Sequence, residues 1–274
     1  VYSVTLAGLD ACIVKVETDA GDGLPSFEMS GCLAAQVTEA RERVRVAVKN
    51  SGIILRPQKI MVNISPADIR KAGNGFDLPV AAGILAADGI IKTDMLESSV
   101  IIGELSLDGS VNAVRGIINC VAKAAQMGFK RCIVPSCNIC EGEHIEGIEV
   151  LGVDSLKQLI GYFNGESELI DAIDAKKSRE HDVIHMKNET CPDFADITGQ
   201  ITAKRASLIA AAGHHNICYM GIPGTGKTMM AKRISTIMLP LNESEKMELT
   251  RIYSAAGKLE GRSIICLLYT SPSP

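Results

Sequence analysis

The chain has 274 residues, 46% of them apolar, and a formal net charge of −4. That length allows two domains with sizeable cores, and the acidic balance gives no chain-wide argument for nucleic-acid affinity, leaving only a local basic face. The absence of tryptophan and an aromatic content of 4% argue against a base-stacking platform for single strands. The longest weakly polar run, residues 78–91, contains Asp88 and is too short to span a bilayer. No secretory signal is visible, and nine cysteines scattered through apolar segments read as reduced thiols of a cytoplasmic protein. Val1 is not a start methionine, so a few residues are expected in front of it.

In chain order, residues 1–6 and 11–18 are β-rich runs around Gly8-Leu9-Asp10, which predicts a hairpin. Gly21-Asp22-Gly23-Leu24-Pro25 is a turn cluster, and Phe27-Glu28-Met29 predicts a further strand. Residues 38–50 predict a helix with Val44 and Val48 toward a core, after Val37, and Asn50-Ser51-Gly52 stops it. Residues 59–64 predict a strand, and residues 76–87 a small-residue helix with Pro79 tolerated in its first turn. Residues 100–105 and 111–114 bracket the turn Leu107-Asp108-Gly109-Ser110 as a second hairpin. A helix over 116–127, strands over 130–134 and 149–153, and a helix over 155–163 complete the stretch. Hairpins together with crossovers predict a mixed α/β or α+β domain over residues 1–165.

Three features of this domain invite functional readings. Arg41, Arg45 and Lys49 make a basic stripe at i,i+4 spacing with Arg43 beside it; interleaved glutamates favour a solvated helix face over a phosphate-contacting one. Cys137 and Cys140, near Cys132, have half the spacing of a zinc knuckle, but no second pair exists to complete a tetrahedral site. His144 stands alone in an acidic loop. Asp68, Arg70 and Lys71 lead into Gly73-Asn74-Gly75, a polar turn. Residues 166–190, rich in Glu, Asp, Lys and Arg, predict a charged linker.

The second domain, over 191–274, opens with Asp193 and Asp196-Ile197-Thr198-Gly199-Gln200, followed by a predicted helix over 201–212 and the connector Gly213-His214-His215. Asn216-Ile217-Cys218-Tyr219-Met220 predicts a short buried strand. It runs into Gly221-Ile222-Pro223-Gly224-Thr225-Gly226-Lys227-Thr228, which fits G-x-x-x-x-G-K-[ST] at every fixed position. Residues 229–238 then predict a helix with Met230, Ile234, Ile237 and Met238 on one face, closed by Pro240. Glycines let backbone N–H groups converge on an anion where side chains would block the approach. The helix start adds unpaired N–H groups and the positive dipole end. In this pattern Lys227 neutralises β/γ-phosphates and the Thr228 hydroxyl holds Mg²⁺. A phosphate grip does not read the base.

Ser65-Pro66-Ala67-Asp68-Ile69-Arg70-Lys71, Gly75-Phe76-Asp77-Leu78-Pro79, Asp196-Ile197-Thr198-Gly199-Gln200 and the glycine loop together resemble the ComM/YifB family of magnesium-chelatase-like AAA+ ATPases, over nearly the whole chain. The resemblance implies a first domain with the fold shared by Lon protease domains and a ribosomal-protein domain, and a second that begins an AAA+ module using ATP and Mg²⁺. It further implies a complete protein that assembles as a homo-hexamer and acts as a helicase driving branch migration of DNA, with no membrane partner. It does not imply proteolysis: residues 73–83 contain no serine, Asp77 lies about where the Lon-type serine falls, and Val114-Arg115-Gly116-Ile117-Ile118 puts an isoleucine where the lysine falls. Gly31-Cys32-Leu33-Ala34 departs from the family's usual Gly-Leu-Pro-Asp.

After Gly257 the family pattern fades toward Ser271-Pro272-Ser273-Pro274, and no acidic Walker B strand or arginine finger can be assigned. Glu243, Glu245 and Glu248 fall in a polar helix and Glu260 in a turn. The chain is therefore expected to be a fragment that binds nucleotide without turning it over. Two rival functions remain: a magnesium-chelatase-type motor acting on a protein partner, disfavoured by the fused Lon-like domain, and a non-catalytic nucleotide-binding module.

Overall fold

The computed structural model describes residues 1–71, 73–172 and 193–259. They fall into two compact units: residues 1–172 together with 250–259, and residues 193–249. Residues 250–259, which the sequence groups with the second domain, thus pack with the first.

The first unit is built on a mixed eight-stranded sheet. Strands β1 (Tyr2–Ala7) and β2 (Asp10–Gly21) pair antiparallel from Tyr2↔Lys15 to Ala7↔Asp10. That register leaves Gly8 and Leu9 as the turn, with Gly8 at φ 69°, a left-handed conformation that glycine adopts without a Cβ penalty. β3 (Ser26–Ser30) precedes helix α1 (Ala35–Asn50), and β4 (Lys59–Ser65) precedes α2 (Asp77–Ala87). β5 (Ser99–Ile101) enters the sheet, and β6 (Glu104–Leu105) and β7 (Val111–Asn112) form a separate hairpin. Then follow α3 (Ile117–Gln126), β8 (Arg131–Pro135), α4 (Ile139–Gly142), β9 (Glu149–Val153), α5 (Leu156–Asn164) and β10 (Ile170–Asp171). The sheet order is β10-β9-β8-β5-β1-β2-β4-β3.

The strand sequences explain the layering. In β8 and β9 alternate residues enter two different cores: Cys132, Val134 and Val150 on one face, Ile133, Leu151 and Val153 on the other. Parallel strands covered on both faces read as continuous apolar runs, as these do. α1, α2 and α5 cover one face, and α3 with Ile139 of α4 covers the other. Toward the edge, β4 buries only Ile60, Val62 and Ile64, while Met61 and Asn63 face outward. α2 is buried almost all round because its alanines and Gly83 let it lie flat against β2; a Cβ on Gly83 would overlap Thr18 Oγ1.

In the first unit two segments differ from their sequence expectations. The run over 100–105 is not one strand: after Ile101 it leaves the sheet, and Gly103 donates to the Gly75 carbonyl and accepts from Leu78 N, both at 3.0 Å, closing the entry to α2. The start of the expected linker is structured, because Leu169 and Ala172 are buried and Ile170–Asp171 pairs antiparallel with β9. Residues 173–190 of that expected linker, like Glu260 and the tail, lie outside the described residues.

In the second unit a 3-10 turn (Phe194–Asp196) precedes α6 (Ile201–Ala212), then α7 (Lys227–Arg233), which tightens into a 3-10 turn over Ile234–Ile237. Helix α8 (Glu243–Ala255) starts here and ends in the first unit. The strand expected over 216–220 does not form, and Met220 is 90% exposed. A strand exists only through ladder partners, and no strand lies in this unit among the described residues.

Candidate functional site

The glycine loop Gly221-Ile222-Pro223-Gly224-Thr225-Gly226 joins the irregular segment after α6 to the first turn of α7. Gly224 and Gly226 have φ of 85° and 82°, left-handed values that side chains disfavour, so the motif's glycines stand where the backbone demands them. Thr225 Oγ1 donates to the Ile222 carbonyl at 2.9 Å, which pins the loop's curvature. Lys227 folds back over the loop, its Nζ donating to the Ile222 carbonyl at 2.6 Å and to Thr225 Oγ1 at 3.3 Å. A Cβ on Gly221 would sit 3.4 Å from Thr225 Oγ1 and 4.0 Å from Lys227 Cδ, filling the hollow beside the ammonium. The loop fits a phosphate group on this ground: an open cradle, a cation at its wall and the N–H groups of a helix start. Thr228, at the exposed start of α7, is the hydroxyl available to a Mg²⁺ bound with such a group.

The loop rests on the Asp196–Gln200 motif, a relation that sequence spacing does not reveal. Ile197 packs with Phe194 and Met230 in the small core of this unit, against Tyr219, Met229 and Ile237. Asp196 closes a capping box with Asp193 and sits 3.5 Å from Arg233 Nε. The Phe194 N–H donates to Thr236 Oγ1 at 3.1 Å. Gln200, held at φ 52°, donates from Nε2 to the Thr225 carbonyl at 3.4 Å. Two sequence-distant motifs thus meet at one loop, and Gln200 is a functional candidate that the sequence marked only by family pattern.

The remaining sequence candidates take structural places. Glu245 accepts from Asn242 N at 2.8 Å in a helix-start cap, and Glu243 pairs with Lys246 at 2.6 Å. His215 N donates to the Ala210 carbonyl at 2.8 Å, ending α6. Cys137 is exposed while Cys140 is buried, and no group of three His, Cys, Asp or Glu fit for a metal occurs among the described residues. Burial pushes the Cys132 thiol up to about 12 and the Cys120 thiol higher still, so neither is a nucleophile. His144 Nε2 lies 3.1 Å from Glu143. Lys71 is fully buried and donates to the Pro66 carbonyl, while its backbone ties Cys32 and Ala34 to it at 2.9 Å. The 31–34 loop and the Ser65–Lys71 motif therefore form one structural unit.

Asp77, expected at about the position of the Lon-type serine, is sealed. Arg43 Nε and Nη2 donate to its two oxygens at 2.9 and 3.0 Å, and Leu105 N at 3.2 Å. Burial, the larger influence, pushes its carboxyl up against the pull of Arg43, whose own pKa the pair raises.

A second buried polar cluster lies at the start of α3. Asn138 Nδ2 donates to Glu141 Oε1 at 2.6 Å, Ser254 Oγ donates to Oε2, and the Ile117 and Ile118 N–H groups face the same carboxyl. Beside it Arg251 Nε donates to Asn119 Oδ1 at 2.7 Å, and Gly116 N donates to the Ser254 carbonyl at 3.0 Å. These contacts fasten the end of α8 to the first unit.

Residues 16–138 match the family described as subunit ChlI of Mg-chelatase, and residues 193–272 that described as magnesium chelatase, subunit ChlI. The chain is 34% identical over 254 residues to the competence protein ComM of Haemophilus influenzae, covering 93% of this chain and 49% of that one. It is likewise 34% identical over 254 residues to YifB of Escherichia coli, with 93% and 48% covered. An uncharacterized protein of Mycobacterium tuberculosis is 37% identical over 260 residues, with 95% and 50% covered. The chain thus spans about half the length of the curated relatives it matches. With both units matched and the motifs of each on the page, the chain belongs to the ComM/YifB family of magnesium-chelatase-like AAA+ proteins.

Proposed function

We propose that the second unit binds Mg²⁺-ATP at the loop from Gly221 to Thr228, as the nucleotide grip of an AAA+ ATPase. The observation that carries this reading is the loop itself: two left-handed glycines around an open hollow, with the Lys227 ammonium at its wall. Lys227 exchanges its bonds to the Ile222 carbonyl and Thr225 for a charge-assisted bond to phosphate. The Thr228 hydroxyl would hold Mg²⁺, which would supply charge neutralisation at the phosphates. Gln200 and Asp196 hold the loop and the following helix in register. ATP over GTP follows the family alone.

In the complete protein, we infer, hydrolysis drives a homo-hexameric, cytoplasmic machine that remodels DNA. Support comes from the family resemblance and from a relative that is a competence protein. The first unit then acts as a non-proteolytic accessory domain, since Asp77 is locked to Arg43 rather than presented as a nucleophile.

Lys227→Ala tests the nucleotide reading. Calorimetry with Mg²⁺-ATP is expected to give binding to the parent and none to the variant, with identical circular dichroism. Equal affinity in the two proteins rejects the loop as the site.

A further inference from the structure

The basic stripe of α1 is not a uniform solvated face. Arg41 turns back on its own neighbourhood, with Nε on Glu42 at 3.2 Å and Nη1 on the Phe27 carbonyl at 3.5 Å. Arg43 is spent on Asp77. Arg45 and Lys49, by contrast, line a cleft of about 550 Å³ together with the segment over 53–58. Among the described residues neither has a carboxylate within ion-pair distance. Arg56, on the opposite lip, is already neutralised by Asp88 at 2.8 Å.

The cleft's floor is apolar. Val44 and Val48 of α1, Ile60 of β4 and Ile84 of α2 back it as buried core residues, and its accessible apolar surface comes from Ile54 with the half-buried Phe27 and Leu55. At the mouth Ile54 is 93% exposed, an aliphatic side chain held in water beside other apolar groups. The volume is that of an ordinary ligand pocket.

Charge and polarity together select the occupant. A nucleic-acid backbone would use the two cations but leave Ile54 and the half-buried Phe27 and Leu55 in water. A purely apolar ligand would leave the cations unanswered. We infer that this cleft docks a short amphipathic acidic segment of a partner protein, its apolar side chains seated against Ile54, Leu55 and Phe27 and its carboxylates on Arg45 and Lys49. This surface lies on the first unit and does not depend on the nucleotide reading. The charge pair sets orientation and on-rate, and the apolar contacts supply most of the affinity.

The test uses the whole chain and a fluorescein-labelled peptide of about twelve residues, Leu at helical i,i+3/i+4 spacing and Glu elsewhere. Anisotropy titration should give a dissociation constant in the micromolar range. Ile54→Ser and the double change Arg45→Glu with Lys49→Glu should each weaken binding about tenfold or more, a step of about 1.4 kcal/mol. The charge-reversed protein should regain affinity for the same peptide with Lys in place of Glu. Circular dichroism controls for folding. No binding at peptide concentrations around 1 mM, or binding indifferent to both variants, overturns the proposal. So does a labelled single-stranded oligonucleotide that binds better than the peptide and is lost on charge reversal, which would make the stripe a nucleic-acid surface.

Discussion

Gln200 reaches the glycine loop from a different stretch of chain, and its effect on the proposed nucleotide binding should be graded rather than absolute. Its bond to the Thr225 carbonyl is neutral and exposed, of a kind contributing about 0.5–1.5 kcal/mol. Gln200→Ala should therefore weaken Mg²⁺-ATP binding about three- to tenfold in calorimetry and leave the fold unchanged. A loss as complete as that of Lys227→Ala would mean that Gln200 touches the nucleotide itself. Glu141 makes a different residue-scale prediction. Burial raises its pKa above the ordinary 4.5, outweighing the donors from Ser254 and Asn138. The folded protein thus holds this proton more tightly than the unfolded chain does. Its contribution to stability is fully present below about 4.5 and is lost as pH rises through the folded value. Relative to Glu141→Gln, the parent should lose stability between about pH 4.5 and neutrality, read as the difference in urea midpoints across pH. A difference that grows in the parent's favour over that range contradicts the burial argument. The glycines and Lys227 were legible because their spacing is the motif. Gln200 and Glu141 were not, because Thr225 and Ser254, which they meet, lie far away in sequence with no periodicity connecting them.

At the scale of elements, the strands and helices of the first unit follow their patterns closely: β4 alternates, α2 is small and apolar throughout, and α5 begins at the Ser155 cap. What pattern could not supply was set by neighbours. The run over 100–105 is apolar enough to be one strand, yet Gly103 is claimed by Gly75 and Leu78. Ile170–Asp171 sits in a charged stretch and becomes a strand only because β9 offers it an edge. The run over 216–220 has strand composition but no ladder partner among the described residues. The close approach of α2 to β2 gives a direct check. Gly83→Val forces a branched side chain against Thr18 and should cost about 1–3 kcal/mol. Adding Thr18→Ala should return a good part of that loss, since contacting residues are not additive. Equal midpoints for Gly83→Val and its parent in urea titration would show that the helix has room to move.

At the scale of the molecule, the order of segments in sequence is not their order in space. The first compact unit is discontinuous: residues 1–172 are completed by residues 250–259, and the glycine loop lies in the stretch between. A boundary near residue 165, natural from composition, misses this because the late segment carries no fold signal of its own. It docks through Arg251 and Ser254, polar side chains that look like an ordinary wet helix face until Asn119 and Glu141 meet them. The geometry is that of two complementing fragments held on one string. A protein ending at residue 172 would present Glu141 and Asn119 without their partners and expose the start of α3. Its stability should fall by about 1–3 kcal/mol as Glu141 and Asn119 lose the hydrogen bonds of Ser254 and Arg251. A synthetic peptide of residues 243–259, added separately, should bind it saturably and raise its melting temperature with concentration, while the same peptide carrying Arg251→Ala and Ser254→Ala should not.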